Sequence, residues 1–398
     1  FYTNMSRFNV NTTHPLIKNA NDYYLFYKYI VIYSGDRDVL KFPYANEFEI
    51  ELPSDYCNVA GACLQSWSFP QTPTFTHKHN NIALSFQISE PYNPNLYGIT
   101  DQQQLDIYNG LLSNKNNNFV ILIEEGNYTS DQMATELTNK MNNAVTIFIR
   151  KYLASINNPD PNFKYKEFIV TYNDVSTDLW FGNSSSNFII TNQNVELYGP
   201  SVENTMNSCN NYSLPNFKTW GLPAYLGFTR CNTNGIRAPE GELPQFFYLP
   251  EPIGNWINFS TAFPGGPVYY VPTPNRIDIT DTPFYYLSIK ELDCIDETSP
   301  YTLNNYTLTT NGSHGRVNSC FARIIVNPNA NGYPQWYCPN KLFVPPNERI
   351  RKLSITVHDH SGQLVDFDNQ EFSMMIEFTL YVPQIGRNIN LYDPKILY

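Results

Sequence analysis

The chain has 398 residues, of which 42% are hydrophobic and only 15% charged, and its formal net charge is −11. The acidic balance repels phosphate backbones and argues against nucleic-acid binding. No Lys/Arg cluster offsets it, since the densest basic stretch is Arg349, Arg351 and Lys352. No run of about 18 apolar residues predicts a transmembrane segment.

The 30 Tyr, 26 Phe and 29 Pro describe short strands joined by long polar loops rather than a helical enzyme. Residues 1–38 read as an N-terminal arm. Within it the Tyr-rich stretch from Asn21 to Tyr33 predicts a strand, or an extended segment that docks on a neighbour. Phe48–Leu52 alternates apolar and acidic residues, the period of a half-buried strand. Further strands are predicted at Leu64–Phe69 and Ile82–Ile88, and a short apolar one at Phe119–Ile123.

The period then changes. Thr129 or Ser130 is placed to cap a helix over 130–152, with Met133, Leu137 and Met141 on one face and Phe148 and Tyr152 continuing it. The methionines read as core. Strands resume at Glu167–Tyr172, Asp178–Phe181 and Asn187–Thr191. Residues 199–275 are rich in proline and aromatics (Phe246, Phe247, Tyr248, Trp256, Phe259) and read as an ordered contact surface. The last strands are predicted at Arg276–Ile279, Phe284–Ile289, Cys320–Val326, Ile350–Val357 and Phe372–Val382. The turn at Asp359–Gln363 suggests a hairpin between the final two.

About a dozen strands exceed the eight of one jelly roll. The fold class expected is therefore all-β, a jelly-roll β-sandwich from residues 39–95 and 276–383. A large insertion, 96–275, would carry the helix and the loop-rich surface, and 384–398 would form a C-terminal tail. Two jelly rolls in tandem is the alternative.

Catalytic constellations are weak. Nucleophile-elbow, phosphate-loop and zinc-protease motifs are absent. His77 with His79, and His358 with His360, are i, i+2 pairs that a strand would present on one face to a metal, with Asp359 or Asp366 as further ligands. Both pairs read instead as solvated turn residues. Glu124 and Glu125 are adjacent, so a strand sends them to opposite faces and they do not flank one glycosidic bond. Asp55, Asp101, Asp131, Asp174 and Asp178 occupy expected turn or cap positions. Asp366–Asn369 lacks the Gly and terminal Glu of a calcium loop. No catalytic, cofactor-binding or metal-binding residue is therefore assigned, and the chain reads as a non-enzyme.

Seven cysteines (Cys57, Cys63, Cys209, Cys231, Cys294, Cys320, Cys338) cannot all pair internally. They read as reduced thiols, with Cys57–Cys63 or Cys209–Cys231 as open alternatives. Sequons at Asn127, Asn183, Asn211, Asn258, Asn305 and Asn311 are what chance produces in an Asn-rich chain. The sequence opens on Phe1, leaving room for a removed initiator, leader or cleaved segment, and no secretory signal is visible.

Two segments go beyond composition. Phe119–Thr129 leads through Gly126 into the Met133 helix, and Val344–Phe367 leads to Phe372–Phe378, with Leu226-Gly227-Phe228 between them. In this order they resemble the minor capsid and penton-type proteins of virophages and nucleocytoplasmic large DNA viruses. The resemblance implies a structural subunit located in the virion and assembled in the host-cell cytoplasm. Its implied partners are the major capsid protein, other minor capsid proteins and copies of itself, as a pentamer. The apolar side chains of the tail, Ile385 to Tyr398, and the Tyr-rich arm are expected to dock on neighbours. A carbohydrate-binding β-sandwich using Trp220, Trp256 and Trp336 is the alternative function.

Overall fold

The computed structural model describes residues 23–115, 117–191, 221–229, 231–244, 256–279, 284–298, 317–326, 341–360 and 362–383. The strands in chain order begin with β1 (Tyr23–Tyr33), β2 (Glu47–Ser68), β3 (Ala83–Glu90) and β4 (Phe119–Leu122). After them come β5 (Phe168–Asn173), β6 (Asp178–Asn183), β7 (Asn187–Thr191), β8 (Thr233–Asn234), β9 (Ile236–Arg237) and β10 (Tyr269–Pro272). The last six are β11 (Phe284–Ile289), β12 (Ile295–Thr298), β13 (Val317–Cys320), β14 (Ala322–Ile325), β15 (Lys341–His358) and β16 (Ser373–Pro383). The α-helices are α1 (Gln102–Ser113), α2 (Ser130–Ser155) and α3 (Leu222–Tyr225). The chain divides into two compact units, one from residues 1–72 with 282–398 and the other from 73–281.

Among its described residues the first unit carries eight strands, all paired antiparallel. β1 pairs with β16, β2 with β15, β11 with β14, and β12 with β13. Numbered within the unit, these are first with eighth, second with seventh, third with sixth and fourth with fifth. That nesting is a long hairpin rolled up, the pairing of a jelly roll. The polypeptide of the second unit is inserted between the second and third of these strands.

The two longest strands hold the roll together. β2, 22 residues long, lies between β15 and β16, and bonds to both. It joins what the sequence suggests as two strands, Phe48–Leu52 and Leu64–Phe69. Its register with β15 shifts between Ile350 and Lys352, the stretch in which Pro53 offers no ladder N–H. The hairpin expected between the last two strands does not form, because β2 separates β15 from β16. Alternate residues of β16, Met374, Ile376, Phe378 and Leu380, turn inward to join Phe48, Leu64, Leu287, Ile355 and Val357 in one core. Each such side chain contributes on the order of 1.5–3 kcal/mol by leaving water.

The second unit contains two four-stranded antiparallel sheets, ordered β4-β3-β7-β8 and β5-β6-β10-β9. β3 with β4 and β5 with β6 pair as successive strands, while β3 with β7 and β6 with β10 pair over long stretches of chain. β3 was expected in the outer core as part of 39–95, but its hydrogen bonds run to β4 and β7, which places it here. Residues 276–279, predicted as a strand, form none; the nearby strand is β10.

Helix α2 extends three residues past its expected end. Thr129 caps it, accepting a hydrogen bond from the Gln132 backbone while the Gln132 side chain accepts from the Thr129 backbone. Met133, Leu137, Met141, Val145, Ile149 and Leu153 form its buried stripe. Gly126, with φ +148°, makes the expected turn before it. α1, capped by Asp101, was not expected; its apolar face is short, with Ile107 and Leu111 buried.

A second stripe on α2 is polar. Thr138, Asn142 and Thr146 follow at i+4 spacing and bond the backbone along the β5 edge. The Thr138 hydroxyl accepts from Val170 N at 2.8 Å, Asn142 accepts from Phe168 N at 3.0 Å and donates to Phe168 O at 2.7 Å, and Thr146 accepts from Tyr165 N at 2.9 Å. A helix therefore covers this sheet edge and satisfies groups that would otherwise invite another strand.

Candidate interaction surface

The residues with chemical potential are mostly occupied within the fold. His77 and His79 sit exposed in a turn, as expected. His358 differs from expectation. It ends β15 with its Nε2 2.9 Å from Glu297 Oε1, and the two side chains are 13% and 4% exposed. The Tyr286 ring stacks on the His358 ring at 5.6 Å, and its hydroxyl lies 3.5 Å from His360 Nδ1. Burial, reinforced by the Glu297 charge, pushes the Tyr286 hydroxyl up to about 12. The register explains this arrangement: Tyr286 pairs directly with His358, so the turn expected at Asp359 starts one residue beyond a partly buried strand end. Nearby, Asp293 accepts from Ser288 Oγ and Ile289 N at 2.7 and 2.9 Å, while burial raises its pKa. No group of three or more His, Cys, Asp or Glu suited to a metal occurs among the described residues.

Glu124 and Glu125 lie just past the end of β4 and turn to different partners. Glu125 accepts the His77 N–H at 2.6 Å; Glu124 faces Lys140 at 3.9 Å, and Lys140 also pairs with Glu136 at 3.4 Å. These contacts brace the start of α2. Asp101 caps α1, and Asp131 lies in the first turn of α2. Asp55 and Asp178 lie in strands rather than turns. Asp55 pairs with Arg349 at 2.5 Å, and Asp178 accepts from the Ser176 hydroxyl and the Trp180 indole. Asp366 accepts the Asp368 N–H at 3.1 Å in a turn where Asp368 and Asn369 both have positive φ.

Cys57 carries a free thiol, so the Cys57–Cys63 bridge does not form. Cys320 is buried, and burial pushes its thiol up to about 12. The Cys209–Cys231 alternative involves a residue outside the described ones, as do Cys338, the sequons at Asn211, Asn305 and Asn311, Trp220, Trp336 and the 384–398 tail. Asn183 is buried and hydrogen-bonded to Tyr165, so it offers no glycan acceptor in the folded chain. The Trp256 ring packs over Gly182 and meets Trp180 edge-on at 6.1 Å.

Among the described residues, β1 carries a row of exposed aromatic side chains. Sequence reading left open whether this Tyr-rich segment is a strand or docks on a neighbour; it pairs with β16 of its own chain over all 11 residues, without a register shift. It forms one end of its sheet. Ile32 is buried, but Tyr24, Phe26, Tyr27, Tyr29, Val31 and Tyr33 are each between 46% and 68% exposed. Lys28, the strand's single charge, is drawn inward: its Nζ lies 4.1 Å from the centre of the Tyr56 ring and donates to Ser54 Oγ at 2.7 Å. Glu377, opposite Tyr29, accepts from Gln65 at 2.9 Å, and its hydrogen bond with Tyr29 raises the pKa of that phenol. The result is an aromatic stripe on a strand that, among the described residues, ends its sheet.

No protein-family model and no curated protein matches the chain. Solved structures do. The chain is similar to virophage proteins. One match is to the 3.5 Å cryo-EM structure of the Sputnik virophage, at 11% identity over 89% of this chain and 98% of that one, with TM-score 0.34. Another is to the mavirus penton protein, at 12% identity over 90% and 100% of the two chains, with TM-score 0.28.

Proposed function

We propose that the chain is a structural subunit of an icosahedral virus capsid. It is a minor or vertex component that assembles with the major capsid protein and with copies of itself in the host-cell cytoplasm, and it turns over no substrate. The observation that carries this reading is the first unit: a nested eight-strand jelly roll, an architecture recurrent in shell-forming proteins, whose terminal strand displays an aromatic edge. Lateral packing in a shell calls for such apolar contact. The sequence segments that resemble minor capsid and penton-type proteins support it too. Val344–Phe367 covers most of β15 and the turn after it, and Phe119–Thr129 covers β4, the Gly126 turn and the cap of α2.

The sugar-binding alternative needs an aromatic face open to a ligand, whereas Trp256 is packed against Gly182 and Trp180.

Co-expression with the major shell protein, followed by sedimentation of the assembled particles, tests the proposal. The expected result is co-sedimentation at a fixed ratio that survives washing. Shells that form while this chain stays wholly in the supernatant would overturn it.

A further inference from the structure

Among the described residues, the sheet edges differ sharply in protection. β8 and β9 are two residues long and β14 is four. The six-residue β5 is covered by the Thr138–Asn142–Thr146 stripe of α2. β1 has 11 residues, no proline, no glycine and no bulge, and its one lysine is engaged with Tyr56 and Ser54. Proteins that stay monomeric blunt such edges. This chain does so at β5 and leaves β1 open.

We infer that β1 is the contact between two copies of this chain, paired antiparallel edge to edge across a two-fold axis at Tyr29. The inference rests on the structural-subunit reading and names one of its partners. The opposite edge of the sheet, β14, is too short to match β1, so the best complement to β1 is β1 itself. A two-fold axis perpendicular to the sheet keeps outer residues opposite outer residues. Centred on Lys28, the pairing would set like charges face to face, which is destabilising. Centred on Tyr29, it sets Tyr29 opposite Tyr29 of the second copy, Tyr27 opposite Val31 and Leu25 opposite Tyr33, while Lys28 meets Ile30.

The area is of the right order. Aromatic side chains bury roughly 150–250 Å² each, so the four half-exposed rings inside the paired register, Phe26, Tyr27, Tyr29 and Tyr33, offer with Val31 at most on the order of 500 Å². That approaches the roughly 800 Å² per partner of a stable interface before the backbone edge is counted. The contact is isologous and joins copies in pairs; a ring of five would need a different, heterologous surface.

Sedimentation velocity on the full chain tests this with two variants. Tyr29→Lys puts two ammonium groups across the axis while keeping a partner for Glu377 in its own chain. The unmodified protein is expected to sediment as a dimer, and Tyr29→Lys as a monomer with an unchanged melting temperature. Tyr29→Cys is expected to give a covalent dimer on mild oxidation, because directly opposed Cβ atoms lie about 4.5–5.5 Å apart, near disulfide reach; the unmodified chain, treated alike, controls for its own exposed thiols. If Tyr29→Lys folds poorly, the cross-link alone decides. A monomeric unmodified protein that fails to cross-link through Tyr29→Cys overturns the inference. So does a larger assembly, such as a pentamer, that Tyr29→Lys leaves intact, and that result would leave the capsid reading standing. Absence from assembled shells would remove the capsid reading without touching the dimer.

Discussion

His358 at the end of β15 meets Glu297 on β12 at 2.9 Å, with both side chains largely withdrawn from solvent. The contact ties the paired strands β12 and β13 to the main sheet of the jelly roll. Removing one member leaves a buried hydrogen-bonding group without its partner, at a cost of ~1–3 kcal/mol. His358→Ala is therefore expected to destabilise the first unit and to expose β12 and β13 to proteolysis. Glu297→Gln keeps a hydrogen-bonding group and should cost much less. Chemical denaturation of both variants, with cleavage sites mapped by mass spectrometry, checks the ordering.

Arg37 and Glu371 close the turn after β1. The Arg37 guanidinium donates to Glu371 at 2.6 Å and to the carbonyls of Ser34, Phe42 and Pro43, and Ser34 Oγ donates to the same carboxylate. Burial works to raise the Glu371 pKa, but the hydrogen bonds from Arg37 and Ser34 and the guanidinium charge outweigh it and hold it below its ordinary value of 4.5. A depressed carboxylate contributes stability that is present above its unfolded pKa and lost as pH falls through the folded one. Stability should accordingly drop below about pH 4.5, and Glu371→Gln should flatten that part of the profile. Melting curves from neutral pH to pH 3 measure it.

Helix α2 provides a test in the second unit. Thr129→Ala removes the capping box and should cost about 1 kcal/mol. Leu137→Ala opens a cavity at a fully buried position and should cost roughly 2–5 kcal/mol. Asn142→Ala is expected to exceed the cap substitution, because it leaves both the N–H and the C=O of Phe168 on an uncovered edge. Urea titrations give all three values, and an Asn142→Ala protein as stable as the parent would contradict the edge-cover argument.

Gly182 sits beneath the Trp256 ring, where an added Cβ would lie 2.4 Å from the ring. Gly182→Ala must displace the indole, and the Ile257 side chain beside it. A shift in tryptophan emission with a lowered melting temperature is expected; unchanged emission would mean the ring does not rest on Gly182.

The elements with strong periodicity were legible in the sequence. Phe48–Leu52, the inward residues of β16 and the Met133–Leu137–Met141 stripe of α2 announce their own type, because alternation and i+4 spacing are local properties. Strand partners were less accessible. Nothing in residues 350–382 tells β15 and β16 that β2 will come between them, since that pairing closes over some 300 residues of chain. Thr138, Asn142 and Thr146 read as an ordinary polar helix face until β5 lies against them. His358 was mistaken for a turn residue for the same reason: its burial depends on Glu297 and Tyr286, which arrive from other strands. The aromatic stripe of β1 was visible as composition, and its openness became clear only from its place at the end of the sheet.

The central claim, that the chain is a building block of a capsid, is tested most directly by a cryo-EM reconstruction of the particle produced in cells expressing it, at a resolution that traces strands. The account predicts density for the eight-strand jelly roll within the shell, against the major capsid protein, with β1 of one copy beside β1 of another. Particles with no density for the chain at vertices, between facets or beneath them would contradict it.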